Sequence, residues 1–158
     1  MNKEGRKIYL IDGNSFCYRA YYAIRELSTS KGEPTNAILG VVNMLRKIIR
    51  EHHPEMMMVV FDPKGPTTRH EKYEDYKVHR KPMPDELVEQ MPKIKDVIEA
   101  MNISSSELPG YEADDIIATI AEKAKKKGLE VTIVTGDKDA LQLVDDRVRV
   151  LSPHALDE

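Results

Sequence analysis

Apolar residues along this 158-residue chain follow two rhythms: short unbroken runs of strand length, and longer stretches with apolar positions every three or four residues. Residues 7–11 (KIYLI) are β-branched and aromatic and close on the turn signal Asp12-Gly13-Asn14, which predicts a first strand. Residues 15–24 then read as a helix. In residues 36–52 the apolar positions Ile38, Val41, Val42, Leu45, Ile48 and Ile49 have helical spacing, and Pro54 is the stop. Residues 56–61 form a continuous apolar run, which suits a strand buried on both faces. The three consecutive methionines within it read as core packing and not as a soft-metal site. Residues 85–101 are helical in pattern, with Pro92 expected to kink them. Residues 104–108 suit a short strand before the Pro109-Gly110 turn. Residues 112–127 predict an amphipathic helix with Ile116, Ile117, Ile120, Ala121 and Ala124 on one face and Gly128 as its stop. A strand over 130–135, a short helix over 138–143 and a strand over 148–151 complete the series. Strands that alternate with helices predict an α/β fold with a mostly parallel sheet and helices on both faces.

Composition places this pattern in one soluble domain spanning residues 1–158. Hydrophobic residues make up 41% and charged residues 32% of the chain, a globular and not a disordered balance. The longest apolar runs are too short to span a bilayer, and Asp12 interrupts any signal-peptide-like stretch, so no membrane partner is expected. The single cysteine, Cys17, excludes an internal disulfide framework and suits a reducing cytoplasm.

The net charge of −3 hides a local asymmetry. Residues 64–81 carry six basic residues (Lys64, Arg69, Lys72, Lys77, Arg80, Lys81) against three acidic ones, together with Tyr73 and Tyr76. This polar, basic segment between prolines has no clear core face and reads as an arch or projecting loop over about residues 64–84. Such a stretch is often only a solvated surface. It also has the composition that grips a phosphate backbone, which depends on where positive charge lies and not on its sum.

Acidic residues recur where the predicted strands stop: Asp12, Asp62, then Glu112, Asp114 and Asp115, then Asp137 and Asp139. Each has an ordinary explanation. Asp12 and Asp62 can mark turns or strand exits, the acids at 112–115 complement a helix dipole, and Asp137 and Asp139 can cap the short helix. In a parallel sheet, however, the strand tips share one edge, and carboxylates gathered there repel one another unless cations lie between them. Every donor is an oxygen, and no HExxH or CxxC spacing suggests zinc. An all-carboxylate site selects Mg²⁺ or Mn²⁺, and two such ions can support phosphodiester hydrolysis.

The elements IDGNS, VVFD, RHEKYEDYKVHR, PGYEADD and TGDKDALQL occur in this order and cover nearly the whole chain. Together they resemble the 5′-nuclease family, which includes flap endonucleases, and most closely the N-terminal 5′–3′ exonuclease domain of bacterial DNA polymerase I. The resemblance implies a PIN-like fold, two divalent ions (Mg²⁺ or Mn²⁺), and cleavage of DNA with 5′ flaps or 5′ ends. It implies metal ligation by Asp12, Asp62, Glu112, Asp114, Asp115, Asp137 and Asp139. It further implies an arch over the site on which Tyr76 stacks on a base while Lys77 and Arg80 bind the scissile phosphate, with phosphate contacts from Arg19 and Arg69. Lys77, Arg80 and Asp115 are then the expected catalytic residues. A polymerase domain in the same longer chain and a nucleoid-associated bacterial cytoplasm are further expectations. The family continues into a helix–hairpin–helix-like region with additional acidic ligands, so the sequence is expected to be a fragment lacking that region.

Three rivals remain. A PIN-type ribonuclease shares the acidic edge but not the basic arch. A phosphoaspartyl hydrolase needs Asp-x-Asp after the first strand, where this chain has Asn14. A catalytically incomplete fragment would bind nucleic acid or metal without turnover.

Overall fold

In the computed structural model, which describes residues 6–63 and 82–156, five strands form one parallel sheet. They are β1 (Lys7–Asp12), β2 (Met56–Val60), β3 (Ser104–Ser106), β4 (Glu130–Val134) and β5 (Val148–Leu151), in the spatial order β3-β2-β1-β4-β5. The chain moves outward from β1 to β3, returns across the sheet, and continues from β4 to β5. The order therefore reverses between β1 and β4, and the crevice beyond their carboxyl ends is where such sheets bind ligands. The arch proposed for residues 64–84 lies outside the described residues except at Pro82-Met83-Pro84.

Strand side chains alternate between two cores. Tyr9 and Ile11 of β1 face helices α1 (Gly13–Ala23), α2 (Asn36–His52) and α3 (Asp85–Ala100), meeting Phe16, Met44, Leu45, Leu87, Ile94 and Ile98. Ile8 and Leu10 face the other way, onto Ile116, Ile117 and Ala121 of α4 (Ala113–Lys126). Both faces of the sheet are thus covered, as the alternating pattern predicts.

One local difference from the expected pattern has a physical cause. Met56 is 41% exposed although it begins an apolar run. The short β3 starts its pairing opposite Met58, so Met56 has a strand neighbour on one side only. Pro92 lies inside α3 without ending it. Both Pro92 and Val88, whose carbonyl a residue-92 amide would have met, are exposed, so water can take up the freed acceptor. The short helix over residues 138–143 is a 3₁₀ turn, and a second 3₁₀ turn, Pro153–Leu156, tucks Leu156 into the first core.

Two contacts fix the position of α1, whose first turn lies at the crevice. A Cβ on Gly40 of α2 would come within 2.8 Å of Ala20, so glycine is what allows the two helices to touch backbone to backbone. Gln90 of α3, fully buried, accepts from the amides of Ala37 and Ile38 at 2.9 and 3.1 Å and donates to Asn36 Oδ1 at 2.9 Å. Asn36 in turn donates to the carbonyls of Tyr21 and Ile24 at the end of α1. The start of α2 is thus capped by a side chain from 50-odd residues away, since its own Thr35 makes no cap bond.

Replacing Gln90 by leucine strands several buried donors and acceptors at once, and is expected to cost roughly 2–4 kcal/mol. Urea unfolding of Gln90→Leu beside the parent measures it, and a midpoint unchanged from the parent would contradict the role given to this network.

Candidate functional site

The first turn of α1 organises the crevice. Asp12 ends β1 and caps α1, its Oδ1 accepting from the Ser15 amide at 3.3 Å. Its Oδ2 accepts from the Thr135 hydroxyl at 2.8 Å, just beyond β4. Asn14 Oδ1 accepts from the Asp62 amide at 3.2 Å, just beyond β2. Ser15 Oγ accepts from the Gly136 amide at 2.8 Å. Gly13 completes the turn: a Cβ there would lie 2.6 Å from the Phe61 ring, so only glycine lets α1 start this close to β2. The four residues after Ile11 therefore tie together the ends of three strands.

The acids gather around this turn. Asp62 Oδ1 accepts from the Ala113 amide at 2.8 Å, capping α4 from another element. That contact holds the start of α4 over the crevice, where Glu112, Asp114 and Asp115 each offer an oxygen within 4.8 Å of the others. Glu112 is only 1% exposed. Asp12, Asp62, Glu112, Asp114 and Asp137 line one cleft of about 690 Å³ together with Asn14, Ser15, Tyr18 and Lys138. Asp115 and Asp139 line a smaller hollow of about 200 Å³ alongside it, sharing Asp12, Asp114 and Asp137 with the cleft. Asp137 Oδ1 accepts from the Asp139 amide at 2.9 Å, which sets the β4 loop.

Burial and neighbouring charge act together on Asp12. Burial, followed in weight by the charges of Asp62 and Asp114, pushes its carboxyl up to about 6, against the lowering effects of Thr135 and the Ser15 amide. Behind the turn, burial first and the Asp12 charge second push the Cys17 thiol up to about 12, so it stays protonated and cannot serve as a nucleophile. The chemistry available is therefore that of hard oxygen donors. Three carboxylates so close, one of them buried, fit a divalent cation well, since its charge removes their repulsion.

All seven expected metal-site acids thus reach the same edge, with Asp139 at its exposed margin. Arg19 lies half-buried on α1 beside Tyr18 but does not line the cleft. Arg69, Tyr76, Lys77 and Arg80 lie outside the described residues. Beside the acids the structure places Asn14, Ser15, Tyr18, Thr135, Gly136 and Lys138, whose part in the site no local pattern marks, because each also reads as an ordinary turn, helix or strand residue.

Fold and edge together define a PIN-like α/β domain with a carboxylate cluster at its switch point. The chain belongs to the family of 5′–3′ exonuclease N-terminal resolvase-like domains, whose model matches residues 7–158. It is 48% identical over 148 residues to a 5′–3′ exonuclease of Aquifex aeolicus, covering 94% of this chain and 51% of that one. It is 45% identical to the thermostable DNA polymerase I of Thermus thermophilus, covering 93% of this chain but 18% of the polymerase. The DNA polymerase I of Bacillus subtilis is 46% identical, with 93% and 17% covered. The chain therefore spans about half the length of the exonuclease and under a fifth of the polymerases. Among solved structures, the T5 5′-exonuclease with divalent metal ions (zinc) bound superposes with a TM-score of 0.71 at 19% identity, covering 96% of this chain and 56% of that one. The bacteriophage T5 flap endonuclease in a pseudo-enzyme–product complex with DNA and metal ions gives 0.70 at 19% identity and the same coverage. At that identity the likeness establishes the fold. No helix among the described residues is long and apolar enough to cross a membrane.

The raised Asp12 carboxyl has a consequence for stability. The folded state holds this proton more tightly than the unfolded chain, whose value is near 3.8, so the contribution is full below that pH and is lost as pH rises through about 6. In chelator, Asp12→Asn is expected to gain on the parent by up to about 3 kcal/mol between pH about 4 and about 7, at about 1.4 kcal/mol per unit. Urea unfolding across that range reads the difference, and one that does not vary with pH would contradict the raised carboxyl.

Proposed function

We propose that this chain is the catalytic part of a divalent-metal-dependent 5′ nuclease that hydrolyses DNA phosphodiesters at 5′ ends or flaps in replication and repair. The observation that carries the proposal is the convergence of Glu112 and Asp114 with Asp12, Asp62 and Asp137 around one open cleft at the switch point, with Asp115 beside them at the adjoining hollow. Family membership and the Aquifex relative's name support the reaction class. Solved neighbours that carry metal ions, one of them with DNA, support the cation and the substrate. The oxygen-only donor set favours Mg²⁺ or Mn²⁺ over zinc.

In this reading Asp12, Asp62, Glu112, Asp114, Asp115, Asp137 and Asp139 hold two ions. Bound there, the ions would supply Lewis acidity that activates a water and stabilises the leaving oxygen. The residues' own work is geometric. Asp62 fixes the start of α4, Asp12 joins β1 to β4, and the acids keep the edge too negative to admit a phosphate until cations are present. Hydrolysis adds water across the P–O bond, leaving a 5′-phosphate and a 3′-hydroxyl. Arg19, Arg69, Lys77 and Arg80 are proposed as phosphate contacts and Tyr76 as a base-stacking residue, with Lys77 and Arg80 neutralising charge on the scissile phosphate. The polymerase relatives support a setting in which such a domain acts beside a polymerase, in the bacterial cytoplasm at the nucleoid.

The test is cleavage of 5′-flap DNA, single-stranded DNA and RNA with Mg²⁺ or Mn²⁺ by this chain and by Asp115→Asn. Flap DNA is expected to be cut in a metal-dependent way, and the variant to be slower by roughly two orders of magnitude or more, the scale on which electrostatic stabilisation acts. A preference for RNA would replace this reading with that of a ribonuclease. DNA binding without cleavage would make the chain a binding module, and an equally fast Asp115→Asn would remove that residue from the site.

A further inference from the structure

Thr135 lies one residue past β4, is 4% exposed, and is bonded to two candidate ligands, one at the end of β1 and one in the loop after β4. Its hydroxyl donates to Asp12 Oδ2 at 2.8 Å and accepts from the Asp137 amide at 3.1 Å. Because that amide occupies one side of the oxygen, the hydroxyl proton is directed at Asp12. Ser15 closes the circuit from the other side, its amide donating to Asp12 Oδ1 at 3.3 Å and its Oγ accepting from Gly136 at 2.8 Å. Both Asp12 oxygens are thereby held, each with lone-pair capacity left for the cleft, while the backbone that carries Asp137 is fixed to the same hydroxyl.

We propose that Thr135 is a positioning residue that sets the spacing of Asp12 and Asp137 for cation binding, with Ser15 as its counterpart on α1. This rests on the metal-edge reading above. The hydroxyl does the orienting, and β-branching at the strand end leaves this buried side chain few rotamers. A valine would occupy the same volume and keep the packing, but would lose both bonds. Asp12 could then turn about its own axis and the Asp137 loop would lose its anchor. Partners of ligands typically change metal affinity by about 10–100-fold when removed.

Mn²⁺ binding to the full chain, followed by loss of the free-ion signal in electron paramagnetic resonance, tests this without any turnover. Thr135→Val is expected to bind about 10–100-fold more weakly, and Thr135→Ser, which restores the hydroxyl, to bind within a few-fold of the parent. Thermal unfolding in chelator checks that Thr135→Val is folded. If it is not, Ser15→Ala, at a half-buried position that tolerates a methyl, is expected to weaken Mn²⁺ by about tenfold. Valine binding as tightly as threonine, or serine as weak as valine, would overturn the proposal; so would parent-like binding by Ser15→Ala should valine fail to fold. Asp12→Asn separates the two levels of the argument. If the parent binds no Mn²⁺, or binds it equally well without the Asp12 carboxylate, the metal edge itself is wrong. If binding depends on Asp12 but not on the Thr135 hydroxyl, only the positioning role falls.

Discussion

Carboxylates that repel one another are held within a few ångströms at one edge of a parallel sheet, and the rest of the architecture can be understood as the means of holding them. Repulsion at this distance in a partly dry crevice would drive flexible side chains apart. Here the acids at the ends of the first two strands, Asp12 and Asp62, are each tied through the carboxyl to another element. Asp62 is bound to the start of α4 and Asp12 to the loop after β4. Asn14 and Ser15 draw the ends of β2 and β4 onto α1. The cost of holding them is carried by the packing of two cores, and burial first, with the Asp62 and Asp114 charges behind it, raises the Asp12 carboxyl to about 6.

Those cores place the turn that does the tying. Gly40 allows α2 to approach α1, and the Gln90–Asn36 network joins the end of α1, the start of α2 and the body of α3. Both are distant from the acids, yet both determine where Asp12-Gly13-Asn14-Ser15 sits. The wedge of Phe61 against Gly13, with the Lys95 ammonium 5.0 Å from the same ring, does so from the other side.

Much of this was legible in the sequence, for identifiable reasons. Residues 36–52 and 148–151 read as their observed elements because their patterns are long or sharply bounded. The acids were recognisable because each follows an apolar run, and a parallel sheet brings such positions to one side. Partners of the acids were not recognisable. Thr135 looks like one more β-branched strand residue, Ser15 like a helix-start residue, and Gln90 like a polar position on a helix. Their roles depend on contacts across 53 to 123 positions of chain, which no local pattern records. The exposed Met56 was misread for a related reason: whether an apolar run is covered depends on the length of a neighbouring strand, here the three-residue β3.

The strand order has a consequence for how the molecule comes into being during synthesis. The crevice is bounded by the first strand and the fourth, and Asp12 meets Thr135 only across 123 positions. A chain emerging from the ribosome can form α1, α2, β2 and even α3 while its carboxylate edge is still missing a wall. The edge closes only when β4 inserts beside β1, after the first three strands have been made. Until then the acids carried by the first two strands lack the loop that holds Asp12 from the other side, so strand order alone delays the assembly of the carboxylate edge.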